Sequence, residues 1–195
     1  MVASEELIPG DGYNYHKAFE VLQSNPESVT AEQLAASMVT AYNEKYKNNE
    51  NGWNTLAAIK TSALGGLATA LKTFTTATQQ ATNSDWNLIN QARADSTKFK
   101  SKFLHDLGNF ASNLVSANGL TSSIQTAAGQ VIQAIQGSVL VQTEASKAKT
   151  TGLSIFLPNN AEEYKDYTDP ETEKYFQNHA AFAENDRPSP SDYAV

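Results

Sequence analysis

The chain has 195 residues, of which 40% are apolar and 18% charged, and this is enough for one domain with a sizeable core. Its net charge of −7 argues against nucleic acid and anionic membranes as partners, and no apolar run approaches the roughly 20 residues of a membrane span. The sequence contains no cysteine, which excludes disulfides, thiolate metal sites and a cysteine nucleophile within these residues.

The N-terminal residues predict a strand, a turn and a helix in close succession. Residues 1–4 are apolar enough for a buried strand, and a strand without a lead-in indicates that the chain continues a longer protein. A turn is predicted at Pro9-Gly10-Asp11-Gly12, because proline fixes φ and glycine tolerates positive φ. A short helix is expected over 13–22, ending before the proline at position 26.

Helical periodicity dominates the middle of the chain. Thr30 and Gln33 form the pattern of a capping box, and the apolar residues between 34 and 46 then fall on one helical face. Further apolar stripes at helical spacing cover residues 64–78, 86–92, 103–115 and 120–135. Gly119 marks the break before the last of these stripes.

Strands are predicted at a few widely separated places. Residues 55–60 and 139–143 have strand character, and the apolar run 152–157, closed by Pro158, is typical of a central strand covered on both faces. With the N-terminal strand this makes about four strands among many helices, which predicts an α/β layer fold. A sheet of that size gains stability when strands from elsewhere join it.

No complete catalytic constellation is visible in the sequence. The three histidines, His16, His105 and His179, lack the spacing of a metal or acid–base motif and are predicted to be surface or half-buried helix residues. No GxSxG elbow accompanies the many serines.

The most unusual local feature is the group of carboxylates at the first strand end. Glu5 and Glu6 close the strand, and Asp11 lies in the turn just beyond it. Ligands of α/β sheets bind outside the carboxyl ends of strands, and a carboxylate there can hold a cationic side chain. The alternative is that Asp11 only caps an Asp-Gly turn.

These residues resemble a segment of the clostripain-like cysteine peptidases. VASEE at 2–6 and PGDGY at 9–13, followed by Tyr15, are similar to the segment that follows the catalytic cysteine in that family. LAAI at 56–59, DLGNFA at 106–111 and GLSIFLP at 152–158 resemble the family's "LSAI", "DLGDFA" and "GLSIYFP" segments, in the same order. Lys60 departs from the pattern, because an acidic residue is more usual there. The similarity runs from about residue 2 to residue 183.

The resemblance implies a caspase-like α/β/α fold that is incomplete in this chain. Residues 1–183 would form the C-terminal part of that domain, and 184–195 would form a loose tail. The family's His-Gly and "DxCLM" motifs are missing from these residues, so the catalytic His and Cys would lie on a preceding N-terminal portion of the same peptidase. The chain alone is expected to be inactive.

The resemblance also implies roles for particular residues. Asp11 matches the position whose carboxylate selects Arg or Lys before the cleaved bond, and Ser4 and Glu5 would line the same pocket. The substrates would be proteins or peptides, and the location would be secreted or on a bacterial cell surface. Calcium is the one cofactor that the resemblance suggests, without an assignable set of ligands.

Two alternatives remain beside this interpretation. The chain could be a non-catalytic pseudo-enzyme or binding module that keeps the fold, or an acidic helical interaction protein. A wholly helical chain without the strand at 153–157 would favour the latter.

Overall fold

The computed structural model describes residues 1–6, 8–24, 26–48, 54–99, 103–142, 150–160 and 163. Met1–Leu157 form one compact unit. Within the described ranges its elements are strand β1 (Val2–Ala3), helices α1 (Tyr15–Ser24) and α2 (Ala31–Tyr46), strand β2 (Ala57–Ile59), a 3₁₀ turn (Thr61–Ala63), helices α3 (Leu64–Thr78) and α4 (Asn83–Ala94), strand β3 (Leu104–Asp106), helices α5 (Leu107–Ser116) and α6 (Ser122–Ser138), and strands β4 (Val139–Gln142) and β5 (Ser154–Phe156). The predicted helix-rich α/β fold is confirmed.

The larger sheet has the strand order β1-β2-β4, and both pairs are antiparallel. Ala57 on β2 lies between Ala3 on β1 and Gln142 on β4. The C-terminal ends of β1 and β4 therefore meet the N-terminal end of β2 at one edge of the sheet. Residues that follow β1 consequently face those that precede β2.

The second sheet pairs β3 with β5 in antiparallel register, with His105 opposite Ile155. The prediction of a central strand at 152–157 is wrong for the described part of the chain, where β5 has a single partner and its residues are half-buried. The apolar run instead packs one side against the helical core, to which Leu153, Ile155 and Leu157 contribute.

The described strands number five rather than about four, because β3 interrupts a stripe that was predicted to be helical throughout. Asp106 explains where the helix begins. Its side chain accepts a hydrogen bond from the backbone N–H of Asn109 at 2.7 Å, which makes it the N-cap of α5. Leu104 and His105 therefore lie outside the helix and pair with β5 instead.

Two apolar cores hold the unit together. The larger core lies among α3, α4, α5 and α6, and its fully buried residues include Leu114, Ile124 and Ala128. The smaller core packs α2 against the three-stranded sheet through Val39, Tyr42, Tyr46, Leu56 and Ala58. Helix α2 thus fixes the position of β1 and of the residues that follow it.

A second unit begins at Pro158, and in its described residues Asn159 and Asn160 hydrogen-bond Glu163. The predicted boundary between 183 and 184, and the tail 184–195, lie outside the described residues. None of the described helices is long and apolar enough to cross a membrane.

Candidate functional site

The residues after β1 are anchored to the segment before β2. The Ser4 hydroxyl lies 2.6 Å from the carbonyl oxygen of Thr55 and 3.0 Å from the Thr55 hydroxyl. The backbone N–H of Glu5 donates to the same Thr55 hydroxyl at 3.0 Å. The polar atom of Ser4 therefore faces the protein, and it holds the end of β1 in place.

The turn at 9–12 forms as predicted. The backbone N–H of Gly12 donates to the carbonyl oxygen of Pro9 at 2.9 Å, and Gly12 has a φ of 61°, a left-handed conformation that glycine adopts readily. Helix α2 supports the turn from the side, because the Lys45 ammonium donates to the carbonyl oxygens of Asp11 and Gly12 at 2.8 and 3.1 Å. The Tyr46 hydroxyl donates to Gly12 as well, at 2.8 Å.

Asp11 is exposed on this turn. Its backbone is fixed by Lys45, whereas none of the ion pairs among the described residues involves its carboxylate. Asp11 thus presents a free negative charge on a supported backbone, which is an arrangement that can accept a cationic group from outside.

Glu5 is placed very differently from Asp11. It is only 8% exposed, and neither of its carboxyl oxygens makes a hydrogen bond of normal geometry with another described residue. Burial raises the pKa of Glu5 to about 9, and the nearby charge of Asp106 adds to this rise, while the backbone N–H of Gly152 opposes it. A carboxyl in these surroundings favours its neutral form.

Asp106 is completely buried and accepts several hydrogen bonds. Besides the cap to Asn109, Thr151 donates to it twice, from its backbone N–H at 2.5 Å and from its hydroxyl at 2.8 Å. The Thr151 hydroxyl accepts in turn from the backbone N–H of Gly108 at 3.1 Å. This network fixes the segment before β5 against the start of α5.

Gly152 joins that segment to the edge of the larger sheet. It has a φ of 92°, and a Cβ atom there would lie 2.9 Å from the Ala57 Cβ and 3.3 Å from the Gln142 Oε1. The close approach and the backbone conformation both require glycine. The Gln142 Oε1 is a further buried oxygen, and no described residue donates a hydrogen bond to it.

The structure therefore brings two of the three predicted site residues together. Ser4 and Glu5 lie at the same sheet edge, whereas Asp11 lies on the turn that α2 supports, with no hydrogen bond to either of them among the described contacts. Their roles toward a substrate stay predictions. The sequence reasoning missed Asp106 and Gly152 as neighbours of Glu5. It also missed Thr151, which donates to Asp106, and the local signal for this group was Asp106 ahead of an apolar helical stripe.

The histidine prediction is wrong for His105. It lies in β3 and is 4% exposed, with its Nδ1 at 2.8 Å from the Ser96 hydroxyl oxygen. Burial lowers its pKa, and the positive charges of Arg93 and Lys98 add to this effect. The Ser96 hydroxyl donates its proton to the Arg93 carbonyl oxygen at 2.6 Å, so it does not donate to the His105 ring. This buried pair therefore has a structural role, and Ser96 is not activated as a nucleophile.

His16 is exposed on α1, as predicted, while His179 lies outside the described residues. Among the described residues no group of three or more His, Asp and Glu side chains could hold a metal ion. No set of calcium ligands is therefore assigned among the described residues.

Comparison with known proteins identifies the family. No curated protein matches the chain at a significant level. The sequence model of the clostripain family, however, matches residues 1–186, which is most of the chain. The resemblance of the turn, strand and helix segments is thus part of a match along nearly the whole sequence, and the chain belongs to the clostripain family of cysteine peptidases.

Proposed function

We propose that the chain is the C-terminal, specificity-bearing portion of a clostripain-like cysteine endopeptidase that cleaves after Arg or Lys. The family match over residues 1–186 is the observation that carries this proposal. Because the sequence contains no cysteine, the nucleophile of such a peptidase would come from residues outside these 195. A caspase-like α/β/α layering of the complete domain is proposed on the same basis.

The partner of this chain in catalysis would be the N-terminal portion that carries His and Cys. The thiolate of a Cys–His pair attacks the peptide carbonyl, and the histidine then protonates the leaving amine. The Ser96–His105 pair of the chain is buried, so a peptide substrate cannot reach its hydroxyl. The chain's own contribution would be the recognition of the substrate.

Asp11 is the residue that we propose to select the basic side chain. Its carboxylate is exposed while its backbone is held by Lys45, so it can pair with an arriving Arg or Lys without moving. The net charge of −7 also attracts cationic peptides. Ser4 and Glu5 would shape the same pocket through the backbone that they anchor, because their polar atoms face inward.

The substrates would be proteins or peptides that contain Arg or Lys, and the enzyme would be secreted or on the surface of a bacterial cell. Both statements rest on the family and not on a contact in the structure.

The experiment uses the complete peptidase, with the His and Cys portion present, and fluorogenic peptides that end in Arg, Lys or a neutral residue. Asp11→Asn should lower kcat/KM for the basic peptides by about ten- to hundredfold, because a charged hydrogen bond contributes about 1.5–3 kcal/mol. The neutral peptide should be much less affected. Glu27→Gln removes an exposed charge elsewhere and serves as the matched control.

Equal losses on basic and neutral peptides would mean that Asp11 only holds the turn. The chain on its own should turn over none of these peptides, and thiol-insensitive turnover by it would overturn the proposal. A complete protein with an intact His and Cys but no activity would instead favour a pseudo-enzyme or binding module.

A further inference from the structure

Three buried side-chain oxygens at this end of the larger sheet have no hydrogen-bond donor of normal geometry among the described residues. They are the two carboxyl oxygens of Glu5 and the Oε1 of Gln142, and within the described part of the chain none of them makes a hydrogen bond of normal geometry. All three are acceptors if Glu5 is ionised, and a buried charge without a donor is strongly unfavourable. A single proton on Glu5 removes the charge and supplies a donor at once.

Asp106 has room for that donor. A carboxylate offers about four acceptor positions, two on each oxygen. The Oδ1 of Asp106 accepts from the Asn109 N–H and the Thr151 hydroxyl, so both of its positions are filled. The Oδ2 accepts only from the Thr151 N–H among the described contacts, which leaves one position open. Asp106 is therefore the acceptor of the pair, and Glu5 is the donor.

The other groups around Glu5 offer no charge that could replace the proton. Thr55 lies before β2, Gln142 ends β4 and Gly152 precedes β5, and none of these side chains titrates. His105 neighbours Asp106 in sequence, but successive residues of a strand point to opposite faces, and its ring contacts Ser96. Among the described residues, Asp106 is the charged group that acts on Glu5.

We propose that Glu5 is protonated in the folded protein and donates its proton to the Oδ2 of Asp106. This acid–carboxylate pair connects the end of β1 to the start of α5 and to the Thr151–Gly152 segment. Glu5 is then a positioning residue, which fixes the point from which the chain proceeds to the Asp11 turn. Only that last connection, to substrate recognition, rests on the proposed function.

The pair makes the fold sensitive to alkaline pH. The pKa of Glu5 is raised from 4.5 to about 9, so the folded state holds a proton that the unfolded state releases. The stabilisation is therefore fully present below about pH 4.5 and is lost as the pH rises through about 9. Between these values the unfolding equilibrium constant should increase by up to about tenfold for each pH unit.

The experiment measures urea unfolding of this chain at pH 6, 7, 8 and 9, for the wild type, Glu5→Gln and Glu27→Gln. The glutamine amide donates a hydrogen bond but carries no proton to lose. We expect the wild type and the exposed control Glu27→Gln to lose stability in parallel as the pH rises, and Glu5→Gln to lose clearly less. Parallel pH profiles for all three proteins would overturn the proposal.

A second measurement does not depend on a variant. In the chain labelled with ¹³C at glutamate carboxyls, the Glu5 signal, assigned by through-bond correlation, should be that of a neutral acid at pH 7 and should titrate well above pH 7. Titration near 4.5 would overturn the proposal even if Glu5→Gln failed to fold. Neither measurement involves peptidase activity, so its outcome is independent of the test with Asp11→Asn.

Discussion

The ammonium of Lys45, on the last turn of α2, donates a hydrogen bond of 2.8 Å to the carbonyl oxygen of Asp11. The same ammonium reaches the Gly12 carbonyl oxygen at 3.1 Å and lies 5.2 Å from the centre of the Tyr46 ring. A residue far along the chain thus fixes the backbone of the turn while the Asp11 carboxylate stays exposed. Helix α2 therefore supports the backbone of the turn, whereas the proposed recognition of a basic substrate side chain belongs to the turn itself.

Lys45→Met should loosen the 9–12 turn without unfolding the chain. The variant keeps the aliphatic stem but removes both hydrogen bonds to the turn, and each such bond contributes about 0.5–1.5 kcal/mol. We expect hydrogen exchange at the Gly12 amide, which donates to Pro9, to become about two- to tenfold faster. Amides in the core of α6 should be unchanged.

Lys47→Met is the matched control, because Lys47 is an exposed lysine just beyond the same helix. Its backbone N–H donates to the Asn43 carbonyl oxygen, and among the described residues its side chain makes no bond to the turn. It should leave the exchange of Gly12 as in the wild type. If Lys45→Met also leaves that exchange unchanged, Tyr46 alone supports the turn. In the complete peptidase, Lys45→Met should raise KM for basic peptides more than it lowers kcat.

Gly152→Ala should destabilise the chain markedly. The new Cβ would lie 2.9 Å from the Ala57 Cβ, and the φ of 92° is one that alanine rarely adopts. Each of these two effects costs about 1–3 kcal/mol, so the free energy of unfolding in urea should fall by at least that much. An unchanged unfolding midpoint would mean that the segment before β5 can move away from β2.

Gly66→Ala should have the opposite effect. Gly66 lies exposed inside α3, and a Cβ there would meet nothing within 4 Å. Alanine is more favourable than glycine in a helix interior by about 0.5–1 kcal/mol, so the same urea experiment should show a gain of that size. A loss of stability instead would show that another group packs on this face of α3.

Local chemistry made much of the fold predictable from sequence. The Thr30–Gln33 capping box is present with both reciprocal hydrogen bonds, at 3.1 and 2.8 Å, and α3 begins and ends within the predicted stripe. These features depend on residues three or four positions apart, where side-chain spacing determines the contacts. Strand β3 was missed because Phe103, Leu107 and Phe110 have helical spacing across a strand of only three residues.

The candidate site was predictable only in part, for a related reason. Ser4 and Glu5 could be placed at a strand end, because the strand and the turn are adjacent in sequence. Asp106 could not be placed beside Glu5, since the two residues are about a hundred positions apart in sequence. Each lies at the end of a strand in a different sheet, and those strands pair with other distant segments, β1 with β2 and β3 with β5. A single sequence carries no local signal for such pairings, nor for the open acceptor position on Asp106.

Asp85 gives a prediction at acid pH. It is 2% exposed at the start of α4 and accepts hydrogen bonds from the backbone N–H groups of Thr82 and Thr121, both at 2.9 Å. Their hydroxyls donate to it as well, at 2.7 and 3.1 Å. These bonds, first those from Thr82 and then those from Thr121, lower the pKa of Asp85 to about 2 from 3.8.

Because the folded pKa is the lower one, this stabilisation is present above pH 3.8 and is lost as the pH falls through about 2. Asp85→Asn should therefore lower the melting temperature clearly at pH 7, since an amide cannot accept all four bonds. The difference in melting temperature between the wild type and Asp85→Asn should become smaller between pH 4 and pH 2. Asp95→Asn, at an exposed carboxylate just beyond the same helix, should show no comparable gap at pH 7. A gap for Asp85→Asn that stays constant down to pH 2 would mean that charge contributes nothing to these bonds.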